Sequence, residues 1–500
     1  MNIDSSTNIL LKYFPKRLEQ EDLFKHLAIN ESLSYAKTLP NSERKDVLAV
    51  LESKWFFVNS HSQTIYDSIY DCFLKTFSYR HQNNYIQILN ATKEWHKFAE
   101  KKGYKPPILN NFNVYGFSII GISGVGKTHC TRHILSRCFN QIIKLPNGDM
   151  QITYLFTNCK SIGSLKELLV SFLNEVDRLI GTNYYEDYIV TKNSTEKLEA
   201  VVANICVRHY IGIWFIDEVH HLKNVPFRSK EQTINFLKNI SAVIGMPIVY
   251  IGTPEAKSIL AGNFQIARRA EGNGSIFWER YLYTENEFGN NESETEWEIL
   301  ISSLWKRQIL NNPGKLTPDI YRAYYECSQG IMARLIAIHI RVQNLALNEG
   351  EERITPELIY RTKPYFQFSE KMINALASGK EELISEFEDL SMRAYNVIEN
   401  VSRGNLSHKE IVEVVTNSNF SQEETTLILK AIMNMQKDEM NHKELNASDN
   451  KKTNIIKKKK EKAKGIFLDD LKKSATPDDI YNMLNVKGIT NAKKIIGQKR

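Results

Sequence analysis

One stretch, "YGFSIIGISGVGKTHCTRHIL" at residues 115–135, constrains the chain more than any other. An apolar run meets a glycine-studded loop and then passes into helical spacing. Gly121, Ile122, Ser123, Gly124, Val125, Gly126, Lys127 and Thr128 fit the pattern G-x-x-x-x-G-K-[ST] in full. Its glycines let backbone N–H groups converge on a β-phosphate, and the helix that follows aims its positive end at the same place. Lys127 is expected to reach the β- and γ-oxygens, and the Thr128 hydroxyl to hold Mg²⁺. Ser123, Val125 and His129 complete the cradle where loop becomes helix. A strand, loop and helix in this order build a nucleotide pocket.

The flanking chain agrees. From the "KKGYKPPILNNFNVYG" break at 101–116 to about residue 282, short apolar runs alternate with helical spacing. Strands are expected near 116–121, 152–157, 211–216, 247–251 and 276–282. Helices are expected at 127–138, 164–180, 195–208, 230–244 and 254–261. This alternation predicts an α/β core, a parallel sheet with helices on both faces. The boundaries divide the chain into an N-terminal region (1–105), this core (106–290), a helical lid (291–365), a helical C-terminal region (366–440) and a charged tail (441–500). The outer regions are mostly helical in spacing.

Further candidates follow from the core's strand ends. "IGIWFIDEVHHL" (211–222) runs four apolar residues into Asp217 and Glu218 at a strand's carboxyl end, where α/β proteins bind ligands. Asp217 would hold Mg²⁺, and Glu218 would polarise the attacking water. The next strand, "MPIVYIGT", ends on Thr253, a polar group placed to contact a γ-phosphate or that water. Arg268 and Arg269 come after the helix "PEAKSILAG". An arginine there is where ring-forming ATPases present a finger to a neighbour's γ-phosphate; the alternative is a pair of solvated cations. Arg334, in "SQGIMARLIAIHI", is either a nucleotide-sensing arginine or an ordinary helix-surface one.

Composition narrows the class. The chain has 500 residues, is 42% hydrophobic and 25% charged, and has no apolar run long enough for a membrane span. Its start, "MNIDSSTNILLKYF", lacks a signal-peptide layout, so a cytoplasmic protein is expected, with no membrane partner. Cys72, Cys130, Cys138, Cys159, Cys206 and Cys327 form no C-x-x-C pair and are expected to be reduced thiols. His129 and His133 share a helix face, but the glutamate of H-E-x-x-H is missing. The net charge of +7 belongs to the tail: residues 451–500 carry 15 Lys or Arg against 5 Asp or Glu, leaving 50 against 53 in the body.

The order of motifs is that of the AAA+ ATPases: a phosphate loop, an Asp-Glu pair, a polar sensor strand, twin arginines and a helical lid. Several stretches go further. "CKSIGSLKELLVSFLNEVDRLIGTNYY", "WFIDEVHHL", "FLKNISAVIGMPIVYIGTPEAKSIL", "ARRAEGNGSIFW" and "YYECSQGIM" resemble TnsC, the ATP-dependent regulator of cut-and-paste transposons related to the TniB and MuB ATPases. The resemblance is dense over about 115–345 and only one of layout outside it. It implies an AAA+ ATPase with ATP and Mg²⁺ as cofactors. It further implies a homo-oligomeric ring or filament on double-stranded DNA. That assembly would join a target selector of the TniQ/TnsD type, docked at the N-terminal region, to the transposase subunits TnsA and TnsB. The family's DNA-contact positions map onto Lys166, Thr182 and Lys223, each of which has a solvated surface role as its alternative.

Two other classes stay open on the sequence: an ATP-gated DNA scaffold without turnover, and a replication-initiator or clamp-loader-like ATPase. The tail is open as well. Residues 451–464 hold eight lysines and one glutamate, and the spaced apolar residues of 466–490 suit a docking element for a partner. Direct phosphate binding by the lysines is the alternative.

Overall fold

The computed structural model describes residues 8–79, 114–146, 148–159, 164–190, 194–224, 227–261, 268–283 and 295–379, and the isolated position 384. The chain divides into two units at Leu390, and all of these residues lie in the first. The expected boundary segment at 101–113, residues 284–294 where the core meets the lid, and the C-terminal region and tail beyond 379 fall outside them, position 384 apart.

The sheet is built from five strands: β3 (Ser118–Gly121), β6 (Tyr154–Asn158), β7 (Ile213–Asp217), β8 (Ile248–Gly252) and β9 (Ser275–Trp278). Their spatial order is β6-β7-β8-β3-β9 and every pairing is parallel. Strand β3 therefore lies between β8 and β9 rather than beside its successor, which opens a crevice at its carboxyl end. Registers Ile120↔Gly252 and Ile216↔Tyr250 bring the ends of β3, β7 and β8 level with one another. All three strand ends that carry candidate residues thus meet in one place. This is the parallel α/β sheet that the sequence predicts.

Local sequence explains the flanking helices. Leu165–Ile180 starts where the Ser164 side chain accepts the Glu167 N–H and stops at Gly181, whose φ of +69° ends the helix. Leu165, Leu168, Leu169, Phe172, Leu173 and Val176 recur at helical spacing and are all buried against the sheet. Each such burial is worth about 1.5–3 kcal/mol, so this stripe alone holds the helix down.

The expected strand at 152–157 is two strands. β5 (Met150–Ile152) pairs antiparallel with β4 (Ile142–Lys144), while β6 enters the main sheet. The break falls at Thr153, whose hydroxyl donates to the Asn140 carbonyl at 2.6 Å. The hairpin was signalled by "PNGD" at 146–149, a turn motif in which Gly148 takes φ +88°.

The N-terminal segment is woven into the rest of the first unit. β1 (Ile29–Asn30) and β2 (Trp55–Phe56) form a short antiparallel ribbon. Helix Ser60–Tyr79 packs on β7, β9 and the helix after the phosphate loop. It approaches Gly212 so closely that a Cβ there would lie 2.7 Å from the Phe77 ring. Leu48 and Trp55 share one apolar core with lid residues Trp297, Tyr324 and Ile338.

The lid segment holds helices Glu296–Trp305, Pro318–Ser328, Met332–Glu349 and Pro356–Tyr360, and helix Glu370–Ser378 follows in the C-terminal region. A capping box between Thr295 and Glu298 fixes the lid's start. Inside it, the Tyr324 hydroxyl and His339 Nδ1 are 2.8 Å apart, and full burial pushes that imidazole down to about 4. His339 is therefore a neutral core residue. Among the described residues no helix is long and apolar enough to cross a membrane, and all six cysteines are free thiols.

Candidate functional site

The phosphate loop leaves β3 at Gly121, where a side chain is excluded because a Cβ would sit 2.2 Å from the Trp278 carbonyl oxygen. Gly124 and Gly126 take φ of +80° and +107°, conformations that only glycine reaches without strain. Helix Lys127–Cys138 then begins directly beneath the loop. Lys127 is 8% exposed, and its ammonium donates to the carbonyls of Gly121 and Ile122, both at 2.8 Å. The cation is thus held over the loop, where phosphate oxygens can compete for it. Ser123 and His129 are exposed, whereas Val125 is buried.

In the first turn of that helix, the Thr128 hydroxyl donates to Asp217 Oδ2 at 2.8 Å, while Asp217 Oδ1 accepts the Glu218 N–H at 2.9 Å. Burial raises the Asp217 carboxyl above its ordinary range, and the Thr128 bond opposes that shift. A hydroxyl and a carboxylate from adjacent elements are the hard oxygen donors that Mg²⁺ prefers, and a cation here would relieve the buried charge. The pair fits the ion on chemistry as well as on position.

Glu218 adopts φ +56°, a left-handed conformation that costs a non-glycine residue about 1 kcal/mol or more. It is the pivot from β7 into the turn Val219–Asn224. Its side chain is 47% exposed, with Oε2 lying 3.2 Å from His220 Nδ1. Thr253, just past β8, is 8% exposed, and its hydroxyl has no hydrogen-bond partner. Among these level strand ends, such an orphaned hydroxyl is free to bond to a ligand.

The two arginines separate. Arg269 is half-buried: one guanidinium nitrogen donates to Ser241 Oγ at 3.4 Å, and burial lowers its pKa. Arg268 is exposed, 5.6 Å from the centre of the Tyr115 ring. Only Arg268 presents its charge outward. Arg334 lies in the lid, 9% exposed, with Nε donating to the Cys327 carbonyl at 2.6 Å and a second nitrogen to Ser369. Its guanidinium also stands over the Phe366 ring. Lys166 is exposed on the first turn of its helix. Thr182 donates its hydroxyl to Asp177 at 2.6 Å, and the same carboxylate accepts the N–H groups of Tyr184 and Tyr185. Lys223 falls in the turn Val219–Asn224; its side chain lies outside the described residues.

Sequence reasoning missed one part of the site. Beside the phosphate loop is an open, largely apolar cavity of about 180 Å³, lined by Phe56, Phe57, Gly124, His129, Met332 and Ile336 among others. The lid closes onto the loop here, where the Ala333 N–H donates to the Gly124 carbonyl at 2.9 Å. Phe56 is held by His133, whose ring stacks on it at 3.8 Å and whose Nε2 is 2.8 Å from the Leu27 carbonyl. An apolar cavity next to a phosphate cradle suits a nucleoside base. The only hint in the sequence was the aromatic run "WFF" at 55–57, which nothing local ties to a loop seventy residues away.

Residues 116–260 match the AAA domain family. No curated protein matches the chain. Among solved structures, it is similar to the Walker-type ATPase of Pyrococcus abyssi (14% identity, 64% of this chain, 84% of that one, TM-score 0.35). It is also similar to the ORC2 protein of Aeropyrum pernix (12% identity, 69% and 84%, TM-score 0.32). A third is Cdc6p of Pyrobaculum aerophilum (11% identity, 83% and 94%, TM-score 0.33). At such scores none of the three bears on what this chain does. The family match covers the segment that holds the phosphate loop, the Asp217–Glu218 pair and Thr253, so over residues 116–260 this chain is similar to the AAA domain family.

Proposed function

We propose that this chain hydrolyses ATP with Mg²⁺ and uses the nucleotide to regulate DNA transposition. It assembles as a ring or filament on double-stranded DNA, between a TniQ/TnsD-type selector and the TnsA–TnsB transposase. The ATPase half rests on one observation above all. Thr128 and Asp217 are already joined at 2.8 Å, with Glu218 next in sequence, half-exposed and in a strained backbone conformation. Lys127 would neutralise the β- and γ-phosphates, and Mg²⁺ at Thr128 and Asp217 would add charge stabilisation. Glu218 would accept a proton from the attacking water, and Thr253 would orient that water or the γ-phosphate.

The exposure of Arg268 supports an oligomer, because a finger must leave its own subunit to act. The transposition half rests on the resemblance of 115–345 to TnsC. Lys166, Thr182 and Lys223 would supply a few phosphate contacts per subunit, multiplied by the ring. The basic tail would engage the transposase. Imaging particles formed on duplex DNA with ATP, with an unhydrolysed analogue and with ADP tests this reading. Rings or filaments are expected with the first two, and none for Lys127→Ala, which leaves the triphosphate charge uncompensated. Assembly of that variant with ATP, or equal assembly with ADP, would refute the switch.

A further inference from the structure

Among the described residues, one group of side chains has the composition and spacing of a transition-metal site. Glu218, His220 and His221 each offer one ligand atom, and these atoms all lie within 4.8 Å of one another. We propose that this trio binds a divalent transition metal of the zinc type. The bound metal would take the Glu218 carboxylate out of catalysis while leaving the Mg²⁺ site intact. The inhibition rests on Glu218 acting as the base of ATP hydrolysis; the metal binding does not.

The geometry is close to what such an ion requires. Zinc bonds to imidazole nitrogen and carboxylate oxygen are about 2.0–2.2 Å, so neighbouring ligands of a tetrahedral ion stand about 3.4 Å apart. Glu218 Oε2 and His220 Nδ1 are already at 3.2 Å. The remaining separations need to close by about 1.4 Å at most, within reach of side-chain rotation. The ring centres of His220 and His221 are 4.4 Å apart. Three ligands within four consecutive residues, on the short turn that follows β7, are brought together with little loss of chain entropy. All three are part-exposed, which gives an ion a way in and leaves a fourth position for water.

The ligand set also discriminates. Two imidazoles and one carboxylate are a known zinc combination, whereas Mg²⁺ demands oxygen ligands and keeps its waters. Thr128 and Asp217 offer oxygen only, so the two ions sort themselves between adjacent sites. A carboxylate coordinated to zinc has its lone pairs engaged and is a poor base. The metal-loaded protein would therefore resemble Glu218→Gln, binding ATP–Mg²⁺ and holding it.

The test uses the full chain, freed of metal by chelation and then held in excess Mg²⁺. Titration with Zn²⁺ by calorimetry is expected to show one site per chain, weakened at least tenfold in His220→Gln/His221→Gln. Co²⁺ serves as a second probe. Its visible spectrum is expected to show nitrogen and oxygen ligation without a thiolate charge-transfer band, which separates this site from the cysteines. ATP hydrolysis is expected to fall as zinc fills the site in the wild type and to be insensitive to zinc in the double variant, each protein being compared with its own zinc-free rate. Absent binding, an unchanged affinity in the double variant, or a thiolate spectrum would each overturn the site. Binding that depends on both histidines, in a protein with no hydrolysis to inhibit, would uphold the site and overturn the hydrolytic reading instead.

Discussion

Replacing Thr253 with valine separates the needs of the fold from those of the reaction. The side chain is 8% exposed at the end of β8, and its hydroxyl has no partner. Burying an unpaired hydroxyl costs about 1–3 kcal/mol. Valine keeps the branching and volume and removes that cost. The nucleotide-free protein should therefore gain about 1 kcal/mol, raising the unfolding temperature of the first unit by about 2 °C. The same change removes a hydrogen bond to a charged phosphate or to the water beside it, worth about 1.5–3 kcal/mol. Hydrolysis should then fall about 10- to 100-fold at saturating ATP, since each 1.36 kcal/mol is a factor of ten. Scanning calorimetry without nucleotide and steady-state phosphate release with ATP, Mg²⁺ and DNA measure the two effects. A lowered unfolding temperature would mean the hydroxyl serves the fold. Undiminished hydrolysis would remove Thr253 from the mechanism.

Four further substitutions probe separate parts of the site. Glu218→Gln keeps the shape and the Mg²⁺ ligands but removes the base, so ATP binding should persist while hydrolysis falls at least 100-fold; wild-type turnover would move the base elsewhere. Arg268→Ala should leave unfolding temperature and monomer nucleotide affinity unchanged and lower turnover in the assembled state, whereas Arg269→Ala, which loses a half-buried cation bonded to Ser241, should destabilise the fold by about 1–2 kcal/mol. Mixed assemblies of Arg268→Ala with Glu218→Gln should recover activity only at composite sites, and no recovery would sink the finger assignment. Phe56→Ala empties one wall of the base cavity and should weaken ATP binding, measured by a fluorescent analogue, at least tenfold. An unaltered affinity would place the base elsewhere.

What could be read from the sequence was what is local in it. The phosphate loop, the Asp217–Glu218 pair and Thr253 each follow an apolar strand, so their neighbours along the chain define their chemistry. The parallel sheet then makes those strand ends level. What could not be read depended on helical phase or on distant chain. Arg268 and Arg269 are identical in type and adjacent, and only their angular offset, about 100° on a helical turn, sends one to Ser241 and leaves the other exposed. Arg334 is aimed by the reversal at Gln329 and Gly330, whose φ of +51° and +74° set the phase of the helix that follows. Gly330 is irreplaceable there, since a Cβ would lie 1.9 Å from the Tyr281 carbonyl oxygen.

The N-terminal segment shows why distance along the chain hides function. Arg44 pairs with Glu352 at 2.9 Å across 308 residues, and Trp55 donates its indole N–H to Ser303 at 3.0 Å. No local pattern announces either bond. The first ties helix Asn41–Ala49 to the lid segment and the second ties the ribbon carrying Phe56 to it, and that segment in turn is bonded to Gly124 of the phosphate loop through Ala333. The cavity wall from the N-terminal segment and the wall from the lid thus share one apolar core. The N-terminal segment thus lines the same cavity as the lid and the phosphate loop.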